Sequence, residues 1–301
     1  MIEKVKTWTR VARANFLPTA LLPYAMGALY GVRTRPFRGV VFLAGTLGSA
    51  LVLLATNLFN EYWDHCLGAD LTGKGFKPHF GGSRAIQEGL LPSGAVRMAA
   101  RLCLAFATAI GLGLSLALGS PVVYVLGAAG SLLGWAYTAR PLSLAYRGWG
   151  EAAIFIAFGP LLVSGGYYLQ AGRIGLPVLA LSLSTGFLIS SLLVANELAD
   201  SQDDARAGKR NLAARWGVGK ASAAVAAGLA CTYLNIILGV VFGLLPVWFL
   251  LLLATVYLAV KALAAVRRAV LSGGDGYPAA SAKMILLYSG FHLLAMVLGF
   301  F

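Results

Sequence analysis

The chain has 301 residues, of which 59% are hydrophobic before its 37 glycines are counted and only 12% are charged. Soluble domains run near 45–50% apolar with glycine included and about 25% charged, so this composition lacks the charge to cover a water-facing surface and assigns the remainder to lipid. Intrinsic disorder, nucleic-acid binding and a disulfide-stapled secreted fold are excluded, the last because only Cys66, Cys103 and Cys231 are present.

A hydrocarbon core near 30 Å takes roughly 20 helical residues to cross, so the uncharged gaps in the sequence act as a ruler. In chain order they fall at 14–32, 39–60, 102–139, 152–172, 174–196, 221–260 and 284–301. The third and sixth gaps are long enough for two spans each. Turn signals lie in their middles, at Gly119-Ser120-Pro121 and Gly243-Leu244-Leu245-Pro246. The first gap carries two prolines and no clear small-residue cleavage site, and so reads as a span and not as a signal peptide. The expected architecture is an all-α integral membrane protein of nine transmembrane helices forming one domain over residues 1–301.

Orientation follows from the basic residues. Of 24 Lys and Arg, all but Arg33, Arg35, Arg38 and Arg173 fall on one set of alternate loops, which includes the N-terminus. That side is expected to be cytoplasmic, in a multi-pass protein of the cell (inner) membrane. The formal net charge of +13 is then mainly a face charge toward anionic lipid and needs no nucleic acid to explain it.

Acid is scarce and unevenly placed. Of 11 acidic residues, only Glu3, Glu88, Glu151 and Asp275 lie outside two clusters. The first is Asn57-Leu58-Phe59-Asn60-Glu61-Tyr62-Trp63-Asp64 with Asp70, and the second is Asn196-Glu197-Leu198-Ala199-Asp200-Ser201-Gln202-Asp203-Asp204. Both contain Asn-Glu-x-x-Asp, and both end an apolar stretch at the cytoplasmic boundary. Helical spacing puts Asn57, Asn60 and Asp64 on one face, and Asn196, Asp200 and Asp204 on another. A single cluster could merely meet the interface or pair with nearby Lys and Arg. Two matching clusters favour a shared ligand, because like charges one helical turn apart repel and something must offset them.

Carboxylate and amide oxygens without paired His or Cys suit Mg²⁺ or Ca²⁺ better than zinc. Mg²⁺ is commonly held by one or two carboxylates together with the oxygens of a bound phosphate. Cationic partners for such a phosphate follow each cluster: Gly81-Gly82-Ser83-Arg84 after the first, and Gly208-Lys209-Arg210 after the second. The turn after residue 136 adds Tyr137-Thr138-Ala139-Arg140-Pro141 and Tyr146-Arg147. Arg84 can grip an oxyanion through two donors. Arg206 and Arg215 are read as topological; His65, beside Asp64, could be a base but a lone His is more often structural, and His79 and His292 receive no role. Phe59, Tyr62, Trp63, Tyr137 and Tyr146 suit an interfacial aromatic belt, and the same rings can stabilise a transient cation.

These residues resemble the UbiA family of intramembrane prenyltransferases, and within it the branch acting on dihydroxynaphthoate. The likeness rests on Asn60-Glu61-Tyr62-Trp63-Asp64 with Asp70, Gly81-Gly82-Ser83-Arg84 with Gln87-Glu88-Gly89, and Tyr146-Arg147-Gly148-Trp149-Gly150-Glu151. It rests equally on Asn196-Glu197, Asp200, Asp204 and Gly208-Lys209-Arg210. It implies nine helices around a central cavity and a Mg²⁺-dependent transfer of a polyprenyl group from polyprenyl diphosphate to an aromatic acceptor. By position, Asn60, Asp64, Asn196, Asp200 and Asp204 would be metal ligands, with Asp70 replacing a family aspartate where Gly68 stands. Asp64, Asp200, Asp204, Arg84 and Lys209 would be catalytic. Asn57, Asn60, Asn196, Tyr137, Arg140, Tyr146, Arg147 and Arg210 would bind substrate. The family's Tyr-x-x-x-Lys element is not literal here, since Tyr137 is followed by Arg140 and Pro141. The alternatives are another acceptor such as 4-hydroxybenzoate, a lipid head-group transferase and, from a different class, a cation-coupled transporter.

Overall fold

The computed structural model describes residues 2–69 and 82–271, together with 286, 289–290 and 292–297. Among these residues the chain is helical and contains no strand. The helices are α1 (Ile2–Val11), α2 (Leu17–Gly31), α3 (Gly39–Leu67), α4 (Ser93–Leu118), α5 (Pro121–Ala136), α6 (Gly150–Ile156), α7 (Leu162–Ala171), α8 (Leu176–Arg206), α9 (Leu212–Val241) and α10 (Val256–Leu271). A π-helical turn, Ala157–Leu161, joins α6 to α7, and a 3₁₀ stretch, Val247–Thr255, leads into α10. Pro160 explains the π turn: it has no N–H to continue the α ladder, and widening the turn keeps the helix running.

Six segments among the described residues are long and apolar enough to cross a membrane: Gly39–Leu67, Ser93–Leu118, Gly150–Ala171, Leu176–Leu198, Leu212–Val241 and Val247–Arg268. The protein is thus a multi-pass membrane protein, with six full-length spans among the described residues where nine helices are expected over the whole chain. The helices at two expected spans, α2 and α5, hold 15 and 16 residues. At about 1.5 Å per residue they fall short of a 30 Å core. The expected last span, 284–301, lies mostly outside the described residues. Large apolar side chains such as Val40, Phe106, Leu116 and Leu251 stand exposed on the outside, as lipid-facing positions require.

Close helix crossings depend on glycine. A Cβ at Gly27 of α2 would strike the Val163 carbonyl, and one at Gly166 of α7 would strike the Tyr24 carbonyl, so these two helices meet backbone to backbone. The π turn approaches α8 in the same way, since a Cβ at Gly159 would lie 2.6 Å from the Ser182 carbonyl oxygen. One buried cluster runs through α2, α7, α8, α9 and α10, and a second joins α1, α3, α4 and the segment around Ala85. Between them α2, α3, α4, α5, α6 and α7 line a largely apolar, partly open cavity of about 390 Å³.

Candidate active site

Helices α3 and α8 both run past their apolar stretches before they stop, and their last turns carry the two acid clusters. Each ends through a left-handed glycine, Gly68 at φ 81° and Gly208 at φ 77°. In each, an N–H five residues on closes over the aspartate carbonyl: Ala69 donates to Asp64 O and Lys209 to Asp204 O, both at 2.9 Å. Only glycine adopts this conformation without steric cost, which is why the helices terminate here. The sequence repeat aligns Asp64 with Asp200, whereas the helix ends align Asp64 with Asp204.

Those two aspartates share one ammonium. Lys209 Nζ lies 3.0 Å from Asp64 Oδ2 and 3.2 Å from Asp204 Oδ1. The remaining oxygens are also engaged: Tyr146 donates its hydroxyl to Asp64 Oδ1 at 2.7 Å, and Asn211 Nδ2 donates to Asp204 Oδ2 at 2.7 Å. Asp64 is 2% exposed and Asp204 8%, so the charges meet where water screens them weakly.

Burial alone would lower the Lys209 pKa, but Asp64 and Asp204 outweigh it and hold the ammonium well above its ordinary range. Asp204 is raised by burial and by the charges of Asp200 and Asp64, with Lys209 pulling the other way. Burial, then Asp64, pushes the Tyr146 phenol far above its usual value, so it stays a hydrogen-bond donor. Tyr137 is raised likewise, first by burial and then by Glu197.

The donor set fits a hard divalent cation. Asn60 lies one turn before Asp64 on the same face, and its buried Oδ1 has no hydrogen-bond partner. Among the described residues no three of His, Cys, Asp and Glu gather closely enough to hold a metal alone.

Several glutamates quoted with the motifs, but given no role from sequence, hold the site's framework. Glu61 is wholly buried and accepts from the Ser83 N–H at 2.9 Å and the Ser83 hydroxyl at 2.5 Å. Glu151 accepts from the Leu212 N–H at 2.5 Å, anchoring the start of α9 just beyond Lys209 and Asn211. Glu197 meets Glu151, and its own Oε2 has no hydrogen-bond partner. The signal for such roles is acid inside an apolar environment, but their partners are set by tertiary structure.

The other candidates divide. Tyr137 lines the cavity. Asn196 and Asp200 are half-buried on the last turns of α8. Asn57 gives its amide N–H to the Ala12 carbonyl at 3.0 Å and so braces the segment after α1. Arg84 is half-buried with φ 58°. Arg140, Arg147 and Arg210 are exposed, and Arg147 donates to the Pro141 carbonyl at 2.7 Å. The structure therefore does not bring these three into the buried cluster. Asp70 and Gly81 lie outside the described residues. The acids sit at helix ends and not in mid-span, which counts against the transport reading.

The sequence model of the UbiA prenyltransferase family matches residues 20–288. A 1,4-dihydroxy-2-naphthoate octaprenyltransferase from Mycobacterium tuberculosis is 36% identical over 70% of this chain and 70% of its own length. One of the same name from Haemophilus influenzae is 31% identical over 72% of this chain and 71% of its own. A solved UbiA homolog from Archaeoglobus fulgidus, bound to DMAPP and Mg²⁺, superposes with a TM-score of 0.68 over 97% of this chain and 99% of its own, at 15% identity.

Proposed function

Because the chain belongs to the UbiA prenyltransferase family, we propose that this membrane enzyme transfers a polyprenyl group from polyprenyl diphosphate to 1,4-dihydroxy-2-naphthoate, with Mg²⁺, at the cytoplasmic face of the cell (inner) membrane. The observation that carries the reading is the meeting of Asp64 and Asp204 on one buried ammonium at the ends of α3 and α8. The naphthoate octaprenyltransferases among its relatives support the choice of acceptor, and the Archaeoglobus homolog with DMAPP and Mg²⁺ supports a diphosphate donor and a divalent metal.

Mg²⁺ held by Asn60, Asp64, Asn196, Asp200 and Asp204, with Asp70 a further ligand, would neutralise the diphosphate and make it a better leaving group. Lys209 and Arg84 donate to its oxygens and stabilise charge as the allylic C–O bond breaks, with the electron pair leaving on diphosphate. Tyr146 holds Asp64 in place, and Asn211 holds Asp204. The cavity takes the first part of the prenyl chain and keeps water from the allylic cation. Tyr137, in its lining, offers a ring to that cation. A ring carbon of the acceptor then forms the new C–C bond and regains aromaticity by releasing CO₂. Arg140, Arg147 and Arg210 supply positive charge at the cytoplasmic rim, where an anionic acceptor approaches.

Purified protein in lipid nanodiscs, given Mg²⁺, one polyprenyl diphosphate and a panel of dihydroxynaphthoate, hydroxybenzoate and glycerol phosphate, tests this directly. Prenylated naphthoate with matched CO₂ release is expected. Product from a non-aromatic acceptor alone contradicts the reading.

A further inference from the structure

Glu61 poses a question that the metal site does not answer. It lies three residues before Asp64 on α3, yet its carboxylate turns to a different partner. Both oxygens are taken by Ser83, Oε2 by its N–H at 2.9 Å and Oε1 by its hydroxyl at 2.5 Å, with Arg13 of the segment after α1 at 3.9 Å from Oε2. The Ser83 carbonyl is held as well. Arg10 of α1 donates Nε to it at 2.8 Å and adds a second donor from Nη2, which also reaches Glu88 Oε2 at 2.8 Å. All three polar groups of Ser83 are thereby fixed by side chains from two helices. Ala85, fully buried among Val11, Leu58 and Phe59, pins the other flank.

The residue between these anchors is Arg84, at φ 58°. A non-glycine residue adopts that region at a cost and keeps it only when its surroundings over-determine it. Burying a carboxylate is also a poor way to gain stability alone, since an apolar side chain of similar size commonly serves as well or better. An unfavourable backbone held by a buried charge is what a site does when one side chain must be presented in one direction.

We infer that Glu61 is a positioning residue: through Ser83 it fixes the backbone of Arg84 so that the guanidinium meets the diphosphate of the prenyl donor. The inference rests on the proposed donor. It assigns to the second residue of the Asn-Glu-x-x-Asp element a task separate from metal binding. Asn60 and Asp64 share one face of α3, and Glu61, rotated off that face, holds Ser83 instead.

The test is binding of a non-hydrolysable prenyl thiolodiphosphate by the full-length protein in nanodiscs, measured for wild type, Glu61→Gln, Arg84→Ala and the double variant. Glu61→Gln should weaken binding about tenfold, and in the Arg84→Ala background the same change should add less than about twofold. The Mg²⁺ concentration for half-saturation should stay at the wild-type value in Glu61→Gln and rise in Asp64→Asn. A merely structural role would multiply through the double variant and shift the metal requirement. If Glu61→Gln fails to fold, Ser83→Ala removes one of the two bonds and is read through the same cycle. Unchanged binding in Glu61→Gln, or in Ser83→Ala where that replaces it, overturns the inference, and so do fully multiplicative effects. A wild-type protein that binds no analogue overturns the proposed donor, and with it this inference.

Discussion

Lys209 is the residue at which the two acid clusters become one site. Its ammonium sits between carboxylates from α3 and α8, with side chains 14%, 4% and 12% exposed for Lys209, Asp64 and Asp204. Lys209→Met leaves those carboxylates facing each other without a counter-charge, which costs about 3–5 kcal/mol for a buried pair. Its folded-state pKa lies above the ordinary 10.5. The Lys209 contribution is therefore full below the unfolded value and is lost as pH rises through the folded one. Thermal unfolding in detergent should show a constant gap between wild type and Lys209→Met from about pH 7 to about pH 9, narrowing only above about pH 11. A gap that closes near neutral pH would contradict the ion-pair assignment. At this scale much was legible in the sequence. Asp64, Asp200, Asp204 and Lys209 are conspicuous because charge is costly near lipid and these chains retain it. Glu61 and Glu151 stand in the same motifs, but their partners, Ser83 and Leu212, lie 22 and 61 residues away. No local pattern encodes those contacts.

Helices α3 and α8 deliver the site by the way they end. Hydropathy placed the acids just beyond the apolar stretches, and the structure adds that each helix continues for the turns that carry them. The repeat Asn-Glu-x-x-Asp gave one register between the two clusters, and the helix terminations give another, because Gly68 and Gly208 follow Asp64 and Asp204 at equal distance. Sequence similarity could not separate the two, since which carboxylate reaches Lys209 depends on where each helix stops. Gly208→Ala forces an L side chain into φ 77° and should cost about 1–2 kcal/mol. It should also loosen Lys209, so that donor KM rises along with the loss of thermal stability. A variant with wild-type melting and wild-type KM would show that this helix end does not set the lysine.

At the scale of the molecule, the apolar cavity adjoins the charged helix ends through Tyr137, which lines the cavity and feels the charges of Glu197, Lys209 and Asp64. The cavity has space to lose: a side chain added at Gly130, which lines it, would meet nothing within 4 Å of its Cβ. Gly130→Leu should therefore fold normally while raising KM for long polyprenyl diphosphates more than for a short one such as DMAPP. Equal effects on both would place the chain elsewhere. Sequence fixed the membrane and its helical character through charge spacing, but not the lengths of α2 and α5. A short helix packed through Gly27 and Gly166 against α7 leaves no signature in hydropathy alone.

If the ends of α3 and α8 form a single metal and diphosphate site, metal binding in the presence of donor must depend on both helices at once. Mn²⁺ in place of Mg²⁺, followed by electron paramagnetic resonance with prenyl thiolodiphosphate present, should report tight binding in wild type. Asp64→Asn and Asp204→Asn should each abolish it singly, although they lie on different helices. Wild-type Mn²⁺ affinity in either variant, with the analogue still bound, would show that the two helix ends do not share one metal site.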